Sequence, residues 1–190
     1  MNELQQPNLH IALVHHPVVD KNGATIASAV TNLDLHDIAR VAKTYAVKTF
    51  YVVTPLSDQK VLVERIVDHW LKGAGSRYNP KRRQALELIK IKESFEDVIE
   101  DIHIQSGLQP KTVVTSARKL RNIISYTHLR HQLMSGIPYL LIFGTAWGLA
   151  NEIIMKADHC LAPISGLGDY NHLSVRCAAA ITMDRLLFQR

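Results

Sequence analysis

The chain of 190 residues holds only two cysteines, Cys160 and Cys177, too few for a disulfide framework or a cysteine-built zinc cluster. It lacks a long apolar run. Its most hydrophobic stretch, residues 137–150, is short and broken by Gly144 and Gly148, which fits a buried core segment rather than a membrane span. The first eight residues carry Glu3, Pro7 and several amides but neither the basic nor the apolar region of a signal peptide. No internal repeat or low-complexity tract is present. Ten histidines are present, yet His15 and His16 are adjacent, His128 and His131 are three apart, and no carboxylate or cysteine completes a ligand spacing. No metal site is expected. The charge is nearly balanced: 22 Lys+Arg against 17 Asp+Glu give +5, a lean toward an anionic partner. Length and composition predict a soluble, cytosolic protein with no membrane partner. They also predict one domain over residues 1–190, with 1–8 a flexible N-terminus.

Short β-branched runs alternate with helical periods from end to end. The first strand is predicted at 9–14, followed by a polar loop containing Pro17, Asn22 and Gly23. A helix over 34–46 puts Leu35, Ile38, Ala39 and Ala42 on one face with Asp34 as N-cap. A second strand covers 47–53. The next helix, from Ser57 to Gly73, aligns Val61, Leu62, Ile66 and Trp70. Pro80 opens a helix, 88–92 reads as a strand, and Ser94 with Asp97 starts a helix to Gln105. Strands follow at 112–115, 138–143 and 159–161, with helices at 125–134, 149–156 and 173–188. Such alternation predicts an α/β fold with a parallel sheet covered by helices on both faces.

Ligands of such sheets sit beyond the carboxyl ends of strands, where three loops combine small and polar residues. They are Thr115-Ser116-Ala117-Arg118, Phe143-Gly144-Thr145-Ala146-Trp147-Gly148-Leu149, and the run from Pro163 through Ile164, Gly166, Gly168, Asp169 and Tyr170 to Asn171. None contains a G-x-G-x-x-G fingerprint or a P-loop lysine. A pocket walled by main-chain amides and carbonyls suits a neutral or zwitterionic heterocyclic ligand. Each loop alone also reads as a tight turn.

Three segments carry a family resemblance. The run Tyr139-Leu140-Leu141-Ile142-Phe143-Gly144-Thr145-Ala146-Trp147-Gly148-Leu149 and the later run Asn171-His172-Leu173-Ser174-Val175-Arg176-Cys177-Ala178-Ala179-Ala180 resemble the last two motifs of the SPOUT RNA methyltransferases. Residues 34–47, a helix with Asp34 at its head and Arg40 six residues on, are similar to their first motif. The likeness runs from Leu9 to the C-terminus and is nearest to the bacterial group described simply as SAM-dependent RNA methyltransferases. It implies a C-terminal trefoil knot, an exception to unknotted topology, a homodimer, S-adenosyl-L-methionine as cofactor, and rRNA or tRNA as substrate. It further implies a cofactor pocket of Thr115, Ser116, Phe143, Gly144, Thr145, Trp147, Gly148, Leu149, Ile164, Gly166, Gly168, Asn171, Leu173 and Ser174. Arg40 matches the arginine that approaches the target from the partner subunit in ribose-methylating members. This chain departs from those members in having Asp34 for their Asn and Thr145-Ala146 for their Asn-Glu, and its Gly144-to-Gly148 spacing is one residue shorter. A base nitrogen and a ribose oxygen are both open as targets.

Asp169 is the candidate general base for a base nitrogen, with an Asx-turn as its structural alternative. His15, His16 and His172 are further candidates, His172 being equally readable as an exposed first-turn residue. Arg40 either acts on substrate or pairs with Asp34 or Asp37 on its own helix. Trp147 either stacks on substrate or packs over the loops. Arg118, Lys119 and Arg121 follow directly on a pocket loop and are expected to contact RNA phosphates. The cluster of Lys81, Arg82 and Arg83 reads as a solvated face. The rival to an active enzyme is a binding protein of the same fold, for which the missing Asn-Glu argues; a plain α/β enzyme with another ligand is disfavoured by the motif order.

Overall fold

A strand with both faces covered needs no polar alternation, and β1 (Leu9–Val14) is buried at every position. The computed structural model, which describes residues 6–188, places β1 in the interior of a seven-stranded sheet, next to its central strand. The other strands are β4 (Thr49–Val53), β5 (Ile89–Lys92), β6 (Lys111–Val114), β7 (Ile123–Ile124), β8 (Tyr139–Gly144) and β9 (His159–Leu161). Their spatial order is β5-β4-β1-β8-β6-β9-β7, and every pairing is parallel. The parallel α/β architecture expected from the alternation is the one observed. The expected flexible segment 1–8 lies for the most part outside the described residues.

Alternate side chains of the strands feed two cores. Leu9, Ile11 and Leu13 point to one face with Phe50, Leu141 and Phe143. That face is covered by α1 (Asn32–Thr44), α2 (Ser57–Leu71), α4 (Pro80–Leu86), α6 (Tyr126–Gln132) and α8 (Val175–Leu187). Ala12, Val14, Tyr51 and Ile142 point to the other face, beneath α5 (Phe95–Ser106) and α7 (Asn151–Lys156). Each fully buried Ile, Leu or Phe contributes about 1.5–3 kcal/mol, so these strands, rather than the helices' own propensities, fix the fold.

The capping box of α5 forms as expected, with Ser94 and Asp97 bonding each other's backbone N–H. Other boundaries differ. The cap of α1 is Thr31, whose hydroxyl accepts from the Asp34 N–H at 3.2 Å, so Asp34 lies inside the first turn instead of capping it. In α2 the buried stripe is Val63 with Ile66, Val67 and Trp70, whereas Val61 and Leu62 are exposed; the true stripe is offset to one side of the predicted one. The polar loop after β1 contains an antiparallel pair, β2 (Val18–Val19) and β3 (Thr25–Ile26). The short α3 (Ala74–Tyr78) and β7 are not predicted by the sequence, because five and two residues are too few to show a period. The helix expected at 125–134 ends in a 3-10 turn, Leu133–Ser135.

Candidate active site

The strands β8, β6 and β9 are neighbours and parallel, so the loops that follow them emerge side by side. Thr115 is locked to β8, its N–H and its hydroxyl both donating to the Ile142 carbonyl at 3.0 and 2.9 Å. The Ser116 hydroxyl accepts from the Arg118 N–H and shapes the turn. Across the gap, the Asn171 side-chain amide donates to the Ala117 carbonyl at 2.9 Å. That bond ties the loop after β9 to the loop after β6.

The loop after β8 is held from its other side. Val19 N–H donates to the Gly148 carbonyl at 2.9 Å, and Trp147 N–H donates to the Val19 carbonyl at 3.1 Å. The β2–β3 hairpin thus clamps this loop, an arrangement that sequence reasoning misses because four strand residues carry no pattern. Gly144 is required for the close approach: a Cβ there would lie 2.7 Å from the Leu149 backbone nitrogen. At Gly148 the backbone has φ +112° and a Cβ would meet nothing within 4 Å, so this position faces open space in a conformation that favours glycine. Ala146 also adopts a positive φ of 50°, strain that concentrates at functional loops.

A hydrogen-bond chain backs the same loop. The Thr145 hydroxyl must donate to the Val14 carbonyl at 3.0 Å, so it accepts from Ser28 at 2.5 Å. Ser28 in turn accepts from His15 Nδ1–H at 3.0 Å. That order fixes the His15 tautomer and leaves its buried Nε2 as a lone pair without a donor. Burial pushes His15 down to about 4, against the pull of Asp34 and of the Ala29 carbonyl, so the ring is neutral. His15 is fully buried and holds Thr145 in place from behind.

The loop after β9 is the open wall. Residues 165–174 are all exposed, with Leu167 and Tyr170 among the most exposed apolar side chains. Among the described residues, no backbone hydrogen bond involves 164–173, so their N–H and C=O groups are available to a ligand. Gly168 has an ordinary φ and open space where a Cβ would sit. Such a surface of free amides, carbonyls and glycines, joined at Asn171 to the loop after β6, fits a ligand with an adenine-like ring and a zwitterionic tail.

The structure places the expected pocket residues on or just beneath these three loops, in differing settings. Phe143 and Leu149 are buried in the cores and can offer only main chain. Thr145, Gly148, Ile164, Gly166, Gly168, Asn171, Leu173 and Ser174 lie on the loop surfaces, and the Ser174 hydroxyl caps α8. Trp147 is 65% exposed, not packed over the loops. Asp169 is exposed and has no hydrogen-bond or ion-pair partner among the described residues. His16 is half-buried and His172 is exposed, the latter edge-on to Tyr170. Arg118, Lys119 and Arg121 are exposed on the connection from β6 to β7.

Arg40 stands apart. It lies on α1 six residues beyond Asp34, about 9 Å further along the helix. The alternative in which it pairs with its own helix is excluded. Asp34 and Asp37 instead receive Arg176, at 3.3 Å each, which pins the start of α8 to α1 just after the open loop. Arg176 gives little signal in the sequence because its partners lie about 140 residues away; only the i, i+3 pair of aspartates hints at a cation opposite. Arg40 itself borders two clefts. One, of about 610 Å³, lies between α1 and α8 and is lined by Val41, Tyr45, Ala180 and Ile181. The other, of about 350 Å³, lies between α1 and α4.

A family model described as SAM-dependent RNA methyltransferase matches residues 8–188. An uncharacterized protein of Aquifex aeolicus is 39% identical, over 94% of this chain and 88% of that one. A tRNA (guanine-N(1)-)-methyltransferase of Nitratidesulfovibrio vulgaris is 46% identical over 95% of this chain, which spans only 42% of that protein. Among solved structures, the SpoU methyltransferase AviRb of Streptomyces viridochromogenes in complex with AdoMet aligns with a TM-score of 0.60 at 15% identity, covering 97% of this chain and 58% of that one. That likeness concerns the fold.

Proposed function

We propose, on the premise that this chain belongs to the SAM-dependent RNA methyltransferase family, that its three carboxyl-end loops hold the cofactor and present it to a nucleotide of tRNA or rRNA. A SAM-dependent methyltransferase acting on RNA is what the family is. The site within this chain rests on one observation. The loops after β8, β6 and β9 leave neighbouring parallel strands on one side of the sheet, the Asn171–Ala117 bond ties the loop after β9 to the loop after β6, and, among the described residues, 164–173 leave their main-chain groups unpaired.

The topology supports a trefoil knot in one domain. Strand β9 lies between β6 and β7, so the chain leaving it must cross the 115–122 connection that joins those two strands. It arrives from α7 on one face and departs to α8 on the other. A homodimer completes the site in this reading. Its contact is the α1–α8 face, where Val41, Tyr45, Ala180 and Ile181 line an uncovered cleft, and Arg40 on the rim serves the partner's loops. No described helix is long and apolar enough to cross a membrane, and an RNA substrate supports a cytoplasmic enzyme in this reading.

Bound S-adenosylmethionine supplies a sulfonium-activated methyl group, and little covalent chemistry is left to the protein. What remains is alignment. The free carbonyls and amides of 164–173 would hold the adenine, and the Thr145 loop, braced by Ser28 and His15, would form a fixed wall of the same site. Arg40 donates hydrogen bonds to the target nucleotide. Asp169, exposed and unpaired, accepts the proton released from a base nitrogen. Arg118, Lys119 and Arg121 contact flanking phosphates. The absence of Asn-Glu in the loop after β8 favours a base nitrogen over a ribose hydroxyl. The guanine N1 named for the Nitratidesulfovibrio relative belongs to a protein more than twice as long as the matched part, so that target is one to be tested on this chain. The experiment is transfer of tritiated methyl from S-adenosylmethionine into RNA of a strain lacking the gene, followed by nucleoside mass spectrometry. One labelled nucleoside is expected. A folded protein that binds the cofactor but labels no RNA would overturn the catalytic reading.

A further inference from the structure

We infer that the cleft between α1 and α4 is a track for the RNA backbone, with Arg40, Lys43, Lys81 and Arg82 as its phosphate-binding cations. This rests on the reading above, in which Arg40 reaches the target nucleotide, and extends it to a surface that the sequence suggests is merely solvated. The cleft of about 350 Å³ takes four of its eight lining residues from Lys and Arg and none from Asp or Glu. None of the four has a carboxylate partner among the described residues, although Arg83, one position further on, pairs with Glu87 at 3.1 Å. Arg82 is positioned by an aromatic ring instead of an acid: its guanidinium lies 4.6 Å from the centroid of Trp70, and its buried Nε–H finds no acceptor. The charge therefore stays uncompensated.

Four like charges gathered in one hollow repel one another, and a cleft with protein walls focuses their field. An anion relieves both. The neighbouring His36 imidazole registers this field: burial pushes it down, and Arg82 and Arg40 push it further against the pull of Asp37. The arrangement fits a polyanion better than a single phosphate, because the cations come from two helices. Arg40 and Lys43 lie one turn apart on α1, while Lys81 and Arg82 face them from the start of α4. Arg40 and Thr44 also line the α1–α8 cleft, so the track is continuous with the face assigned to the partner subunit. RNA phosphates flanking the target nucleotide run from Arg40 past Lys43 toward Lys81 and Arg82.

The test is the salt dependence of bulk tRNA binding by the full chain, with S-adenosylhomocysteine titrated in parallel. Removing one phosphate-binding cation lowers the slope of log K against log salt by about 1. The double variant Lys43→Gln/Lys81→Gln is therefore expected to lower that slope by about 2, with S-adenosylhomocysteine affinity unchanged. Lys156→Gln, which removes one charge from the opposite face, where Lys156 pairs with Glu96, is expected to leave the slope as it is. A double variant with the wild-type slope overturns the track, as does an equal fall per charge in Lys156→Gln. A wild-type chain that binds tRNA neither tightly nor with salt dependence, and no S-adenosylhomocysteine, overturns the methyltransferase reading and the track with it.

Discussion

Two regions of this molecule use the same residue types to opposite ends. Under α5, at the β4–β5 edge, Asp101 accepts from Tyr51 at 2.7 Å, from Lys92 at 2.9 Å, from Lys90 at 3.0 Å and from Gln105. Burial alone would push its carboxyl up, but the bonds from Lys92, Tyr51 and Lys90 hold it well below the usual carboxylate range. Toward the other end of the sheet, Asp158 takes Lys111 and Thr112 in the same manner. In the cleft between α1 and α4 and on the carboxyl-end loops the pattern reverses. Among the described residues, Arg40, Lys43, Lys81 and Arg82 stand without acids, Asp169 stands without a base, and residues 164–173 leave their backbone groups unpaired. A fold can satisfy its polar groups where it chooses to, so a region left open on this scale is a region made for something else. The +5 of the whole chain understates this, because the sum does not show that four cations gather in one cleft lined by no acid.

Substitutions at the two regions should therefore fail in different ways. The largest effect is expected at Arg40→Ala, where methyl transfer falls by roughly 100-fold or more, the size typical of losing one preorganised charge in a site. Cofactor affinity and thermal stability stay near wild type. An equal fall in activity and S-adenosylhomocysteine affinity would make Arg40 structural and erase the contrast. Next comes Asp101→Ala, which leaves two lysines and the Tyr51 hydroxyl without their acceptor. It should destabilise the chain by roughly 2 kcal/mol in urea unfolding, the value for charged hydrogen bonds tempered by partial exposure, with kcat unchanged. Full stability in that variant would show the satisfied region to be ornamental.

Acid sharpens the comparison with a smaller effect. Burial, aided by Lys48 and Lys90 and opposed by Asp101, pushes His10 down to about 4, and burial does the same to His15. The unfolded chain protonates these rings near pH 6.5, so between about pH 6.5 and pH 4 it binds more protons than the folded one. Their contribution is complete above pH 6.5 and is lost on acidification, by at most about 1.4 kcal/mol per pH unit for each ring. Urea midpoints that rise from pH 5 to pH 7, and rise less in His10→Gln, are the expected result; a flat profile would mean neither ring is held neutral by the fold.

How much of this is legible in residue order follows from the range of each interaction. Strands β1 and β9 and the Ser94–Asp97 capping box are local patterns, and they stand where residue order places them. The three loops are legible as well, since parallel strands must send their carboxyl ends to one side. The clamp of β2 on Gly148, the pairing of Arg176 with Asp34 and Asp37, and the unpaired set around Lys81 are not. Each joins segments dozens of residues apart, and charge alone cannot say whether a lysine will find an acid. Lys81, Arg82 and Arg83 show the point: adjacent in sequence, only Arg83 is neutralised.

Whether the open loops are the cofactor site can be tested without knowing the RNA. Gly148 is a poor probe because φ +112° strains any side chain there, and Gly144 is worse because a Cβ would strike the Leu149 backbone. Gly168 is the suitable one, since its backbone accepts a side chain and nothing in the protein occupies the space. Calorimetric titration of S-adenosylhomocysteine into wild type and Gly168→Val, with thermal unfolding of both, is the direct measurement. One ligand per wild-type chain is expected, with an affinity lowered at least ~10-fold in the variant, about 1.4 kcal/mol, at an unchanged unfolding temperature. A wild type that binds no ligand, or a variant that binds as tightly as wild type, would contradict it.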